Sequence, residues 1–403
     1  MRRNKLWNAR FVHLLLVEAV FQFATYLLNP VISSYVVLLG ASLAVGGFVA
    51  GLVASAALAM RPFTGWIADK LSKTTLLVLA AALFSVAAFG CATVSSVFWI
   101  GVFRVVQGVA FAFRSAVVVS LVSVVVSQDH LGRAVGWVGV VTTVSCAIAP
   151  SVAAYLGTLA GYHACFFLSG WLFAAGLVLA VLFKLPKDVR THHKAARELA
   201  REKAAEDPHE GIRLKDFLYV PAVPFSVMAA LSGVPHGINV SLLLTVGDSR
   251  GIAGVSLYFT LYALAALAAK PLAGRLSDTR GFGTVIVPAL LVELAGVAAL
   301  VCMDSLFLAA VAGVLVGVGQ GSAYSALQAE AVRGANVEEL GRASNTFYIG
   351  PDVNMGMSPF VGGFIMQTGG VTAMYAVCFV LVFCTLLLFL AMRRRADPAS
   401  RGF

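Results

Sequence analysis

Hydrophobic residues occur along the chain in twelve runs long enough to cross a bilayer. Six fall near residues 11–37, 42–60, 74–94, 97–126, 134–159 and 163–184, and six more near 218–246, 252–270, 283–303, 305–331, 342–367 and 370–392. About 20 apolar residues cross the hydrocarbon core as a helix. Each crossing must be helical, because a lipid-facing backbone has no water to bond to. The pattern predicts an all-α membrane protein with twelve transmembrane helices.

One polar segment, 185–217, separates the first six runs from the last six. Between residues 191 and 211 it is rich in helix formers and alternates charge sign, which indicates a solvated helix on the membrane surface. We therefore predict an N-terminal six-helix bundle at 1–184, a cytoplasmic linker at 185–217 and a C-terminal six-helix bundle at 218–403.

Composition and charge support this topology. Hydrophobic residues make up 60% of the 403 residues and charged residues 12%, whereas soluble proteins have roughly 45–50% and 25%. The net charge of +10 could suit a nucleic-acid binder. However, all Lys and Arg residues except Arg104, Arg114 and Arg250 fall in the termini, the linker and the loops of one side. By the positive-inside rule we expect a multi-pass protein of the inner or plasma membrane with both termini cytoplasmic and no nucleic-acid partner.

The two halves repeat each other at an offset of 209 residues. Arg61 to Asp69 aligns with Lys270 to Asp278, 131–134 aligns with 340–343, and Pro150 aligns with Pro359. Three matches at one offset indicate duplication of a six-helix unit in the same orientation. Parallel repeats of this kind are typical of transporters that bind substrate near the middle of the membrane and rock their halves.

Two segments resemble motifs of the major facilitator superfamily. The run from Gly65 to Lys73 (GWIADKLSK) is similar to that superfamily's loop between helices 2 and 3, with Ser72 where glycine is usual. The run from Arg104 to Gly108 is similar to its fourth-helix Arg-x-x-x-Gly motif. The resemblance implies the major facilitator fold, two pseudo-symmetric six-helix bundles in which helices 1, 4, 7 and 10 line a central cavity.

Within that superfamily the chain is most similar to twelve-span bacterial drug:proton antiporters and exporters. Their span 5 carries a glycine-rich signature that ends Gly-Pro-x-x-Gly-Gly. Here the small residues at 149–154 occupy that place, and the glycine-richer version lies at 358–363 in span 11.

The repeated loop motif predicts a cytoplasmic gate. Glycine allows two helices to approach closely, and an aspartate is stabilised beside the N-terminus of another helix or a cation there. We expect Asp69 to meet the start of span 11 and Asp278 to meet the start of span 5. The alternative is a set of solvated charges that only determine topology. The candidate gate residues are Gly65, Asp69, Lys70, Lys73, Arg133, Gly274, Asp278 and Arg342.

Polar residues recur on single faces of several spans. In span 1 they form a stripe about 80° wide at 100° per residue. Charged groups inside a membrane face a wet cavity or pair with each other, so we expect Arg104 and Arg114 to meet Glu18 or Asp352. The candidate residues of the substrate and proton pathway are Glu18, Gln22, Asn29, Arg104, Gln107, Arg114, His236, Asn239 and Asp352.

Glu18 and Asp352 are the candidates for proton coupling. A carboxyl group in a low-dielectric site can bind and release a proton near neutral pH, and movement of Arg104 or Arg114 could control that step. The alternative is a static Arg104–Glu18 pair. His236 is a proton site, a ligand contact or a hydrogen-bonded structural histidine.

These patterns predict a monomeric secondary transporter rather than an enzyme. We expect proton-coupled export of small organic molecules by alternating access, with the proton gradient as energy source and no bound cofactor or metal. One alternative is proton-linked uptake of an anionic organic solute. A membrane-embedded receptor or enzyme is the alternative of another class, against which the missing catalytic clusters argue.

Overall fold

The computed structural model describes residues 7–70, 72–126, 130–183, 218–333, 335 and 339–396. The N-terminal half contains six helices: α1 (Ala9–Leu38), α2 (Leu43–Lys70), α3 (Lys73–Thr93), α4 (Val97–Val125), α5 (Leu131–Ala160) and α6 (Tyr162–Leu182). The C-terminal half begins with a 3-10 turn, Val220–Ala222, followed by α7 (Val223–Ser249), α8 (Leu257–Arg280), α9 (Gly283–Val301) and α10 (Leu306–Val332).

The last helical stretch contains two crossings. Leu340–Ala396 runs for 57 residues but is interrupted at Gly370, whose φ of 80° is left-handed and favours glycine. We call the parts on either side α11 (340–369) and α12 (371–396). Eleven helical segments of the described chain are long and apolar enough to cross a membrane. Since the last of them turns back at Gly370, the predicted twelve crossings are confirmed. The linker at 185–217 lies wholly outside the described residues.

Each half has its own hydrophobic core. In the N-terminal half, Phe84 and Phe173 stack with ring centroids 4.7 Å apart. In the C-terminal half, the Asn239 amide donates to the Tyr258 hydroxyl and accepts from the Tyr375 hydroxyl, each at 2.8 Å. Two separately packed bundles can move as bodies with their cores intact.

Helices α2 and α8 are longer than the sequence predicts. The apolar runs end near 60 and 270, which placed Arg61 and Lys270 in loops, yet both residues lie inside helices that continue for about ten residues more. That placement was wrong because a charged residue ends an apolar run without ending a helix. Both helices continue through a proline, which transmembrane helices tolerate when neighbouring groups satisfy the freed backbone.

The halves meet mainly on one side of the membrane. Twelve crossings return the chain to its starting side, so we call the side of both termini the terminal face and the other the opposite face. Near the opposite face, the Ser34 and Thr245 hydroxyls join α1 to α7 at 2.9 Å. The backbone N–H of Ala44 donates to the Gln367 side chain at 3.4 Å and joins α2 to α11.

Two pseudo-equivalent contacts hold the halves together nearer the middle of the membrane. In the α2–α11 contact, a Cβ on Gly51 would overlap the carbonyl oxygen of Gly356, so two backbones touch. In the α5–α8 contact, the Thr260 hydroxyl donates to the carbonyl oxygen of Ala147 at 2.7 Å. Gly51 and Thr260 are 209 residues apart in sequence, as are Ala147 and Gly356. The duplication seen in the sequence is therefore present in the contacts.

Candidate functional site: the space between the two halves

The polar stripe of α1 faces other helices, as predicted. The Gln22 amide donates to Glu18 at 2.8 Å and to Thr142 of α5 at 3.1 Å. Asn29 accepts from Arg104 of α4 at 3.1 Å. These contacts place the stripe against α4 and α5 instead of against lipid.

Glu18 forms an ion pair with Arg114 of α4. Only 4% and 5% of these two side chains are exposed, and both belong to the N-terminal half. The sequence allowed a static ion pair between Glu18 and Arg104. That pairing is wrong, because Glu18 pairs with Arg114, which lies about three turns after Arg104 on α4. A pair enclosed in one half keeps its partners when the halves move apart.

Arg104 has no carboxylate partner in the described structure. Its guanidinium donates to the backbone oxygen of Ala50 at 2.8 Å, to Gln107 at 3.0 Å and to Asn29. The expectation that Arg104 meets Glu18 or Asp352 was wrong, because carbonyl and amide oxygens of three helices supply its acceptors. Arg104, Gln107 and Asn29 thereby tie α1, α2 and α4 together inside one half.

Asp352 of α11 forms an ion pair with Arg61 of α2, in which Arg61 donates through two nitrogens. The expected pairing of Asp352 with Arg104 or Arg114 was wrong, because α2 lies between α11 and the rest of the N-terminal half. This pair joins the two halves. Asp352 lies 18 residues before Gly370, about 27 Å along a straight helix. Of the described contacts that join the two halves, the Arg61–Asp352 pair is therefore the nearest to the terminal face. Its side chains are partly exposed, 29% for Arg61 and 16% for Asp352.

His236 of α7 and Lys270 of α8 lie on the C-terminal side of the same space. The His236 ring stacks on Tyr262 with centroids 4.9 Å apart and planes 20° apart. Lys270 is close enough to interact electrostatically with His236 and with Cys146 of α5 in the other half. Asn239, in contrast, is fully buried between Tyr258 and Tyr375. Asn239 thus holds α7 to α8 and α12, and its place in the pathway stays a prediction.

The gate predicted at the terminal face is only partly described. Four gate positions are not described beyond their backbone: Gly65, Asp69, Lys70 and Asp278. The pairing of Asp69 with the start of α11 and of Asp278 with the start of α5 therefore stays a prediction. Helices α2 and α11 do pack on each other, as do α5 and α8. Arg342 binds Glu339 at 3.0 Å in its own half. Of the remaining gate residues, Arg133 is exposed, and Lys73 and Gly274 are partly exposed.

Arg61 and Lys270 are the residues that sequence reasoning missed. The signal was present, since the two cations occupy the same position of the repeat, directly before Pro62 and Pro271. A further buried carboxyl, Glu293 of α9, has no hydrogen-bond partner for either oxygen in the described part of the chain. It is fully buried against Gly319 of α10.

Two duplicated six-helix halves, with buried charges inside them and an ion pair between them, are typical of membrane transporters of the secondary type. The family model of the Major Facilitator Superfamily matches residues 14–253 and 225–403. The chain belongs to the Major Facilitator Superfamily, so it is a multi-pass inner-membrane transporter and a member of a transporter family, not of an enzyme family.

Similar proteins agree with this assignment. The chain is 24% identical over 407 residues to "Uncharacterized MFS-type transporter YhhS" of Escherichia coli strain K12, covering 96% of this chain and 93% of that protein. The protein of the same name from Salmonella enteritidis is 25% identical over 280 residues, covering 68% and 63%.

Solved structures show the same fold. A POT family transporter in complex with 5-aminolevulinic acid superimposes with a TM-score of 0.75 at 12% identity, covering 95% of this chain and 96% of that one. The human organic anion transporter MFSD10 gives 0.64 at 15% identity, covering 95% and 100%. At these identities the likeness concerns the fold alone.

Proposed function

We propose that the protein exports small organic molecules in exchange for protons by alternating access. The observation that carries this proposal is the Arg61–Asp352 ion pair, the one carboxylate–cation pair described between the halves. Following the distribution of Lys and Arg, we place the terminal face in the cytoplasm. The contacts near the opposite face then belong to a state closed to the outside.

The ion pair couples protonation to movement of the halves. Deprotonated Asp352 holds Arg61 and stabilises the state closed to the outside. Substrate that enters from the cytoplasm competes with this contact and allows α2 and α11 to separate toward the outside. The separated Asp352 then takes up a proton from the outside. Neutral Asp352 can re-enter the interface without carrying a negative charge into it, and release of its proton to the cytoplasm restores the ion pair with Arg61.

Glu18 has the contrasting position. Its pair with Arg114 is enclosed in the N-terminal half, so alternating access does not separate its partners. We infer that Glu18 stabilises this half and that Asp352 carries the exchanged proton. The predicted gate around Asp69 and Asp278 would close the cytoplasmic side in the alternate state.

Proteoliposomes with an imposed pH gradient test the proposal. A panel of lipophilic and organic solutes is added, and substrate-evoked proton movement is followed with an internal pH dye. We expect Asp352→Asn to abolish the proton movement while substrate still exchanges across the membrane. Wild-type proton movement in Asp352→Asn would reject the assignment.

Glu18→Gln is the matched carboxyl-to-amide variant. Removing one partner of a buried ion pair destabilises a protein by about 3–5 kcal/mol, so this variant should lose thermal stability. Protein that remains folded should still couple substrate to protons. Loss of coupling with unchanged stability would instead identify Glu18 as the proton site.

A second candidate is proton-linked uptake of an anionic organic solute. It is favoured by the cation Lys270, which faces the space between the halves without a carboxylate partner in the described chain. Vesicles of opposite orientation distinguish the two directions, because net substrate flow against its own gradient follows the inward proton flow only for uptake.

A further inference from the structure

Lys270 is a cation inside a membrane-crossing helix, and no acidic group in the described part of the chain neutralises it. It lies inside a membrane-crossing segment of α8, with an exposed side chain. A lysine at the centre of a transmembrane helix is costly to insert into a bilayer. Such a residue persists where it faces water or an anion. No acidic group of the described chain lies within ion-pair distance of Lys270.

Comparison of the two repeats shows that Lys270 lacks the acidic partner that its counterpart has. Lys270 is the counterpart of Arg61, and the residue equivalent to Asp352 in α5 is Thr143, 209 positions earlier. The Thr143 hydroxyl donates to Gly139 of its own helix at 2.9 Å. The α2–α11 side therefore has a cation and an acid at these positions, whereas the α5–α8 side has a cation alone.

The other cations in the middle of the described spans have partners within the protein. Arg61 and Arg114 pair with Asp352 and Glu18, and Arg104 is held by carbonyl and amide oxygens. Lys270 is left to attract an anion from the space between the halves. The His236 ring, within electrostatic range of Lys270, stacks on Tyr262 through one face and is itself only half-buried.

We propose that Lys270 binds the anionic group of the transported substrate and that the half-buried His236 ring contacts its flat apolar body. The substrate class is an organic anion with a planar hydrophobic part. This inference rests on the proposed function only in that small organic molecules pass between the halves. It holds for either direction of transport, and it places the substrate at the α5–α8 side, where the Thr260 hydroxyl joins α8 to Ala147 of α5.

Ligand binding without a gradient tests this inference separately from coupling. The full-length protein in lipid nanodiscs is titrated with 2-naphthoate, neutral 2-naphthamide and cationic 2-naphthylmethylammonium, and its Tm is measured. We expect naphthoate alone to raise the Tm. Lys270→Gln should weaken the apparent Kd of naphthoate by roughly tenfold or more, since a charge-assisted hydrogen bond is lost, and Lys270→Arg should retain binding. Arg280→Gln removes an exposed cation from the end of the same helix and should bind as wild type.

Thr143→Asp provides a second variant that keeps Lys270 in place. The new carboxylate should form an ion pair with the ammonium group of Lys270 and weaken naphthoate binding, whereas Thr143→Asn should leave naphthoate binding unchanged. The inference is overturned if naphthoate raises the Tm no more than naphthamide does, or if binding survives in both Lys270→Gln and Thr143→Asp. Those results would reject anion binding by Lys270 without bearing on proton coupling by Asp352. Conversely, wild-type coupling in Asp352→Asn would reject the coupling proposal without bearing on anion binding.

Discussion

The α2–α11 and α5–α8 contacts come from one duplicated unit, yet they hold the halves together in different ways. At α2–α11, Gly51 lies against Gly356, and Arg61 pairs with Asp352. At α5–α8, a hydroxyl-to-carbonyl hydrogen bond joins the helices, and Lys270 has no acid opposite. The first contact is close and charge-neutral. The second is joined by a hydrogen bond, and its cation has no acid partner in the described chain.

Under the two proposals above, the two sides of one pseudo-symmetric structure have different tasks. A close backbone contact with an ion pair suits a side that opens and closes in response to protonation. An unpaired cation beside aromatic rings suits a side that binds a ligand. A strictly symmetric pair of contacts would either neutralise both cations or leave both free, so the divergence of Thr143 from Asp352 separates coupling from binding.

The largest effect is expected from filling the α2–α11 contact. In Gly51→Val the new side chain would overlap the backbone of Gly356, and overpacking costs about 1–3 kcal/mol. That corresponds to a shift of roughly 5–150-fold against the state closed at the opposite face. Spin labels at the exposed positions Val45 and Thr368 should report a longer distance, and transport should fall accordingly.

The pseudo-equivalent position supplies the matched control. Thr260→Val keeps the volume of the side chain and removes one hydrogen bond, worth about 0.5–1.5 kcal/mol. The spin-label distance should change less than in Gly51→Val. An equal change in both variants would show that the two contacts are equally close, and would contradict the claim that the α2–α11 contact is the closer one.

The next effect concerns the ion pair. Arg61→Gln, Asp352→Asn and the double variant form a double-mutant cycle, with the population of the closed state as the measured quantity. Because both side chains are partly exposed, we expect a coupling energy near 1 kcal/mol, between that of a surface pair and that of a buried pair. A coupling energy of zero would mean that the pair does not hold the halves together.

The sequence predicted the architecture well for physical reasons. Hydrocarbon thickness sets the length of each apolar run, so twelve crossings can be counted from composition alone. The offset of 209 residues identified the duplication, and the spacing of Glu18, Gln22 and Asn29 identified a face of α1 that meets other helices. These features depend on local periodicity and on repetition, which a single chain displays directly.

The partners of the charged residues could not be predicted in the same way. Glu18 meets Arg114 rather than Arg104, and Asp352 meets Arg61 across the halves. Which carboxylate meets which cation depends on the rotation of each helix and on the distance between the halves, and neither quantity has a local signature. The end of each apolar run also hid Arg61 and Lys270, because helices α2 and α8 continue beyond it.

The smallest effect would make the two contacts alike. Thr143→Asp restores an acid opposite Lys270, and an exposed pair contributes about 0.2–1 kcal/mol. The closed state, in which α5 and α8 meet, should gain roughly twofold in population, read from the same pair of spin labels. Thr143→Asn is the neutral control. Adding Lys270→Gln to Thr143→Asp should remove the gain, since no cation is left to pair. A gain that persists in this double variant would come from the new side chain itself, and Thr143 would then not be the position that faces Lys270.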